Sequence, residues 1–187
     1  MKITLPHAIK RKTALGIALL LAGTTPVAAE AAQILTPSIN ISSRVVSDGV
    51  SVSNPKAIPS AIFEYEMTVA NIPTNSTSQD GPVIANPVPD QLSLYVGDIG
   101  NYGSGPFIYE AASAGSGFEC SFSSLSNMSD CVEFSDNGGS SFDYVPMPDR
   151  QGFDSNITHV RFRLKPGLQA SQTATSTFVL RYRMRME

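Results

Sequence analysis

Ile62-Phe63-Glu64-Tyr65-Glu66-Met67-Thr68-Val69 alternates strictly, with Phe63, Tyr65, Met67 and Val69 on one side and Glu64, Glu66 and Thr68 on the other. Period-two alternation is what a β-strand with one buried and one solvated face requires. The pattern returns near the C-terminal end, where Phe178, Leu180, Tyr182, Met184 and Met186 alternate with Val179, Arg181, Arg183 and Arg185. It returns again over residues 158–164, with Val160, Phe162 and Leu164 inward and His159, Arg161 and Arg163 outward. Weaker strands are expected at 39–46, 83–86, 92–96, 107–109, 118–122, 132–134 and 142–145. Asn54-Pro55, Ile58-Pro59, Asn71-Ile72-Pro73, Asn86-Pro87 and Pro146-Met147-Pro148 interrupt the runs. Beyond Gly23 no stretch keeps a 3.6-residue apolar period with caps. The expected fold is therefore all-β, an antiparallel sandwich of about 8–10 short strands, with a barrel as the alternative.

The opening of the chain has another character. Lys2, Lys10, Arg11 and Lys12 precede an apolar run at residues 13–23, and Val27-Ala28-Ala29-Glu30-Ala31-Ala32 supplies small residues. A basic segment, a short apolar segment and a small-residue zone, in that order, make a signal peptide. The run of about 11 residues is too short for a bilayer span, which needs about 20. Residues 1–29 are thus expected to be removed, with cleavage after Ala29 or Ala31, leaving a lead-in at 30–38 and a single sandwich domain at 39–187. Thr24 stands where a lipoprotein signal needs Cys after Leu21-Ala22-Gly23. No later apolar run would span a membrane, and the expected location is the periplasm or the extracellular medium.

Residues 1–29 hold four of the 13 basic residues and no carboxylate, leaving 9 basic against 16 acidic residues, a net of −7. Net negative charge opposes generic nucleic-acid binding, which relies on clustered cations. About 158 residues suit one domain. The two cysteines, Cys120 and Cys131, would close a short loop, and an exported chain meets oxidising conditions. Paired reduced thiols and a metal pair are the alternatives. One remaining histidine, His159, and no C-x-x-C spacing give no zinc signature. No metal and no cofactor is expected.

Asn54-Pro55-Lys56-Ala57-Ile58-Pro59-Ser60-Ala61, then Phe63 to Asn71, then Asn86-Pro87-Val88-Pro89-Asp90-Gln91-Leu92 form a recognisable succession. Residues 54–96 resemble the conserved-repeat domain of unknown function found in bacterial surface and exported proteins. That family carries N-P-x-x-x-x-P-G, an alternating strand ending in Asn, and D-P-[LV]-P. Ser60 replaces its usual Gly, and Asn86 its usual Asp. The resemblance implies an immunoglobulin-like sandwich displayed outside the cytoplasm, and no reaction.

Ser135-Asp136-Asn137-Gly138-Gly139-Ser140-Ser141-Phe142 looks like an Asp-box turn, whose Gly pair permits positive φ. One copy cannot build a propeller, so a hairpin joining 132–134 to 142–145 is expected. Nucleophilic catalysis needs a base beside the nucleophile. His159 is the sole candidate, with parity placing it on the solvent face, and no G-x-S-x-G elbow exists. Asp80, Asp90, Asp98, Asp130, Asp136, Asp143, Asp149 and Asp154 lie in loops without a calcium or glycosidase spacing, and read as solvated turns. The sequons at Asn40, Asn75, Asn127 and Asn156 read as chance in a Ser/Thr-rich chain.

Arg161, Arg163 and Lys165 alternate on one strand, and Arg181, Arg183 and Arg185 on another. Were these strands to pair, six cations would line one face and could meet an anionic partner, an acidic polysaccharide or another surface protein. The competing expectation is neutralisation by Glu64, Glu66 and Glu187. The expected function is a non-catalytic exported sandwich with a structural or binding role. The alternatives are a fimbria-like subunit using strand addition and, more remotely, a secreted hydrolase.

Overall fold

The computed structural model describes residues 37–73, 81–111, 117–166 and 175–187. The expected signal peptide, almost all of the lead-in, the Gly/Ser-rich stretch 112–116, Asn75 and Asp80 lie outside the described residues. Within them, regular structure is entirely β. The strands are β1 (Ser38–Ser47), β2 (Ile62–Pro73), β3 (Val83–Pro87), β4 (Leu92–Tyr95), β5 (Phe107–Ala111) and β6 (Phe118–Glu119). There follow β7 (Val132–Ser135), β8 (Phe153–Asp154), β9 (His159–Arg163), β10 (Lys165–Pro166) and β11 (Thr175–Met186).

The two longest alternating strands meet. β2 and β11 run antiparallel with Tyr65 opposite Tyr182, Met67 opposite Leu180 and Val69 next to Phe178. β1 covers the far edge of β2. The other edge of β11 is shared: Phe178–Tyr182 pairs with β5, and Met184–Met186 with β4, which in turn holds β8. This makes a six-stranded sheet. A second sheet has β9 at its centre between β3 and β7, and β6 pairs with β10. All pairings are antiparallel.

The inward faces of the two main sheets share one core. Phe178, Leu180, Tyr182 and Met184 from β11 join Val160, Phe162 and Leu164 from β9 and its end, all essentially without solvent exposure. Phe162 lies 6.0 Å from Tyr182 and 5.7 Å from Phe107 between ring centroids. The arrangement is consistent with a β-sandwich. The buried phenol of Tyr182 is satisfied by Asn86, whose Nδ2 donates to it at 2.7 Å. Burial pushes the Tyr182 hydroxyl well above the usual phenol range.

Cys120 and Cys131 form the disulfide, with Cα atoms 5.2 Å apart. Buried Asp130 organises the loop it closes, accepting from the backbone N–H of Ser123 and Ser124 and from Asn127 Nδ2. Several local expectations change. The strand at 118–122 shrinks to Phe118–Glu119, and 142–145 contributes only one bridge, Tyr144 opposite Phe134. β8 and β10 have two residues each and carry no alternation signal. Asp98 ties the Gly-rich loop 97–106, accepting from Gly103 N at 2.9 Å and Gly105 N at 2.7 Å.

Candidate functional site

β9 and β11 belong to different sheets, so the six cations do not share a face. β9 takes β3 and β7 as neighbours, and β11 takes β2, β4 and β5. On the outer side of the second sheet Arg161 Nε sits 2.5 Å from Glu133 Oε2, its guanidinium lies 4.0 Å from the centroid of the Phe142 ring, and Arg163 Nη2 is 3.6 Å from the same carboxylate. Lys165 belongs to β10 and donates to the Ser129 carbonyl at 3.2 Å.

The outer side of the six-stranded sheet carries a cross-strand ladder. Glu64 is buried between two arginines, with Oε1 2.5 Å from Arg44 Nη2 and Oε2 3.1 Å from Arg183 Nη2. Burial pushes the Glu64 carboxyl up, but its bonds to Arg44 and Arg183 outweigh that and hold it below its usual range. Arg181 reaches Glu66 and Glu110, each at 2.8 Å. Arg185 reaches Asp149 and Glu187, each at 2.8 Å, and lies 4.5 Å from the centroid of the Phe153 ring. Three of these acids, Glu64, Glu66 and Glu187, were legible as counter-charges in the strand pattern. Glu110, Glu133 and Asp149 were not, because their strands or loops reach the arginines only through sheet pairing.

Where this ladder ends, the outer face opens into a cleft of about 450 Å³. It is lined by Ile62, Arg183 and Arg185 from the two long strands, by Tyr95 and Phe153 from β4 and β8, and by Ser47, Asp48 and Ser60 from the end of β1 and the β1–β2 connection. Tyr95 and Phe153 are tilted neighbours 5.1 Å apart. Gly152, at φ +87°, lets Tyr95 lie close: a Cβ there would stand 2.7 Å from the ring. Asp48 folds the β1–β2 connection around its carboxylate, accepting from the N–H groups of Ser51 (2.6 Å), Lys56 (2.8 Å) and Val50 (2.9 Å), which hold its carboxyl far below the usual range. Ser60 adopts φ 69°, the one positive-φ non-glycine among the described residues. Its N–H donates to the Met186 carbonyl at 2.9 Å, pinning the connection to the end of β11.

His159 departs from the expected exposed position. It is half-buried beneath the Gly138–Gly139 turn, a Cβ on Gly139 would stand 3.3 Å from its ring, and its Nδ1 is buried without a hydrogen-bond partner among the described residues. Ser135, on the paired strand, directs its hydroxyl to Asn137 Oδ1 at 2.8 Å and accepts from Gly139 N at 3.0 Å. These bonds and the positive φ of Gly138 and Gly139 build the Asp-box-like turn as a local fold device. Among the described residues no group of three His, Cys, Asp or Glu side chains is placed to hold a metal, and no helix is long and apolar enough to cross a membrane.

The carboxylates give a pH prediction. Asp149 is lowered to about 2, first by the Phe153 N–H and then by Arg185. Asp98 is lowered by the Gly103 and Gly105 N–H groups, and Glu187 by the Ser93 hydroxyl and Arg185. A carboxylate whose folded pKa is depressed contributes stability above its unfolded pKa and loses it as pH falls through the folded value. The urea midpoint should therefore be flat above about pH 5 and fall between about pH 4 and pH 2. Asp149→Asn should lower the midpoint at neutral pH and shrink that fall. An acid limb of unchanged size would show that Asp149 is not depressed.

No protein-family model, no curated protein and no solved structure matches the chain.

Proposed function

We propose that this chain is an exported, non-catalytic β-sandwich of immunoglobulin-like type that works by binding, at the cell surface or in the periplasm. The observation that carries it is the open cleft at the end of the six-stranded sheet, held on a disulfide-tied all-β frame. Arg181, Arg183 and Arg185 each face a carboxylate, so the sheet's charges brace the strands around the cleft. The likeness of residues 54–96 to exported conserved-repeat domains supports the location, as does the basic-apolar-small opening of the chain.

The test is the intact mass of the protein recovered from cell fractions, before and after reduction. The expected result is a chain beginning at Glu30 or Ala32, in the periplasm or medium, gaining about 2 Da on reduction. A full-length reduced chain in the cytoplasm would overturn the proposal.

A second role, strand addition between subunits, is favoured by one feature. β1 pairs only with β2 among the described residues, and Ile39 and Ile41 on it are 53% and 45% exposed. Such an edge accepts another strand. Light scattering across a concentration series decides: growing mass that Ile41→Lys abolishes supports it, and a constant monomer mass ends it.

A further inference from the structure

We infer that the cleft recognises a neutral saccharide, with Tyr95 as the stacking platform and Ser60 as a hydroxyl contact. The inference rests on the binding role proposed above and names its ligand class.

Charge comes first. Arg183 and Arg185 line the cleft, but Arg183 shares Glu64 with Arg44, and Arg185 is held between Asp149 and Glu187. With Asp48 in the wall, carboxylates outnumber guanidiniums there. Two guanidiniums share the one charge of Glu64 and two acids flank Arg185, so an anionic polysaccharide would find both cleft arginines already engaged by carboxylates. The arginines instead offer directional N–H groups within a balanced field.

Shape and chemistry come next. A volume of about 450 Å³ falls within the range of small-ligand pockets, roughly 300–1,000 Å³. Tyr95, half-buried, gives the cleft an aromatic ring, backed by the buried Phe153, which Arg185 covers. Ser47 and Ser60 add hydroxyls to the lining, and two donors are unengaged among the described residues: Arg183 Nη1, since Nε and Nη2 go to Glu64, and Gln151 Nε2, since Oε1 accepts from Arg185. An aromatic ring lining a cleft together with scattered donors and acceptors suits a ring with one C–H face and a rim of hydroxyls, which is a pyranose.

Ser60 supplies an independent observation. Its φ of 69° is a conformation glycine adopts freely and L-residues disfavour. A side chain retained at such a position, opening into a cavity, marks a site where that side chain has work to do. The hydroxyl is the only thing serine adds over alanine there.

The experiment uses purified full chain, saturation-transfer NMR and calorimetry with four neutral probes, cellotetraose, maltotetraose, chitotetraose and mannotetraose, and an oligogalacturonate as acidic comparison. At least one neutral probe should bind at millimolar concentration or better, with an affinity unaffected by salt. Ser60→Gly should leave the melting temperature within about 2–4 °C and weaken binding about 3–10-fold. Tyr95→Phe, which keeps the ring, should bind nearly as the parent, whereas Tyr95→Ala should lose binding while retaining the folded spectrum. No binding by any neutral probe, salt-sensitive binding of the acidic oligomer alone, or unchanged affinity in Ser60→Gly would each overturn the inference. Shortening of a bound probe, read by chromatography, would overturn the non-catalytic role while leaving the saccharide site standing.

Discussion

Phe162→Ala should lower the free energy of unfolding by about 3–5 kcal/mol. Phe162 has no solvent exposure and sits on β9, the central strand of its sheet between β3 and β7. Its ring bridges the two sheets, 5.7 Å from Phe107 on β5 and 6.0 Å from Tyr182 on β11. Truncation removes a large apolar group and leaves a cavity that two hydrogen-bonded sheets cannot close, because each is held by its own ladder. Phe162→Leu keeps most of the volume and should cost distinctly less. Urea unfolding followed by circular dichroism measures both. A loss below about 1 kcal/mol for the alanine variant would mean that the ring is not between the sheets.

The Cys120→Ala/Cys131→Ala double variant should lose about 2–3 kcal/mol, as should the reduced parent. The bridge closes a loop with a sequence separation of 11, and opening it restores conformational freedom to the unfolded chain. Cys131 is also structural in the folded state. It is buried, its carbonyl accepts from Arg163 N at 2.7 Å, and its N–H donates to the Ser121 carbonyl at 3.0 Å. The loop inside the bridge is knitted by Asp130, so the double variant should keep its cooperative transition at a lower midpoint. Guanidinium unfolding with and without reductant checks this. Equal midpoints for oxidised and reduced parent would show that the bridge contributes nothing.

Much of the fold was legible where side chains alternate. Phe63 to Val69, Val160 to Leu164 and Phe178 to Met184 identified β2, β9 and β11 and named the faces they bury, because an apolar side chain every second residue has only one strand geometry that removes it from water. β8 and β10 were invisible, since two residues carry no period. The Asp-box-like stretch correctly located a turn, but only Phe134 and Tyr144 bridge beyond it. His159 shows the limit of parity. The pleat sends it outward, and a turn from residues 138–139 then covers it.

The candidate site was barely legible. Arg183 and Arg185 stood out as charges, and Ser60 as a departure from a glycine-bearing motif. Tyr95, Gln151 and Phe153 carried no signal at all.

The identity of β2, β9 and β11, the core face of each and the candidate cysteine pair were thus legible in the sequence alone, being properties of side-chain order along one chain. Which strands lie side by side was decided by tertiary structure. Backbone hydrogen bonds join any two strands equally well, so nothing in the local pattern of β9 and β11 says that they belong to different sheets. That separation divides the arginines, places β8 beside β4, and brings Tyr95, Ser60 and Arg183 from three distant segments around one cleft.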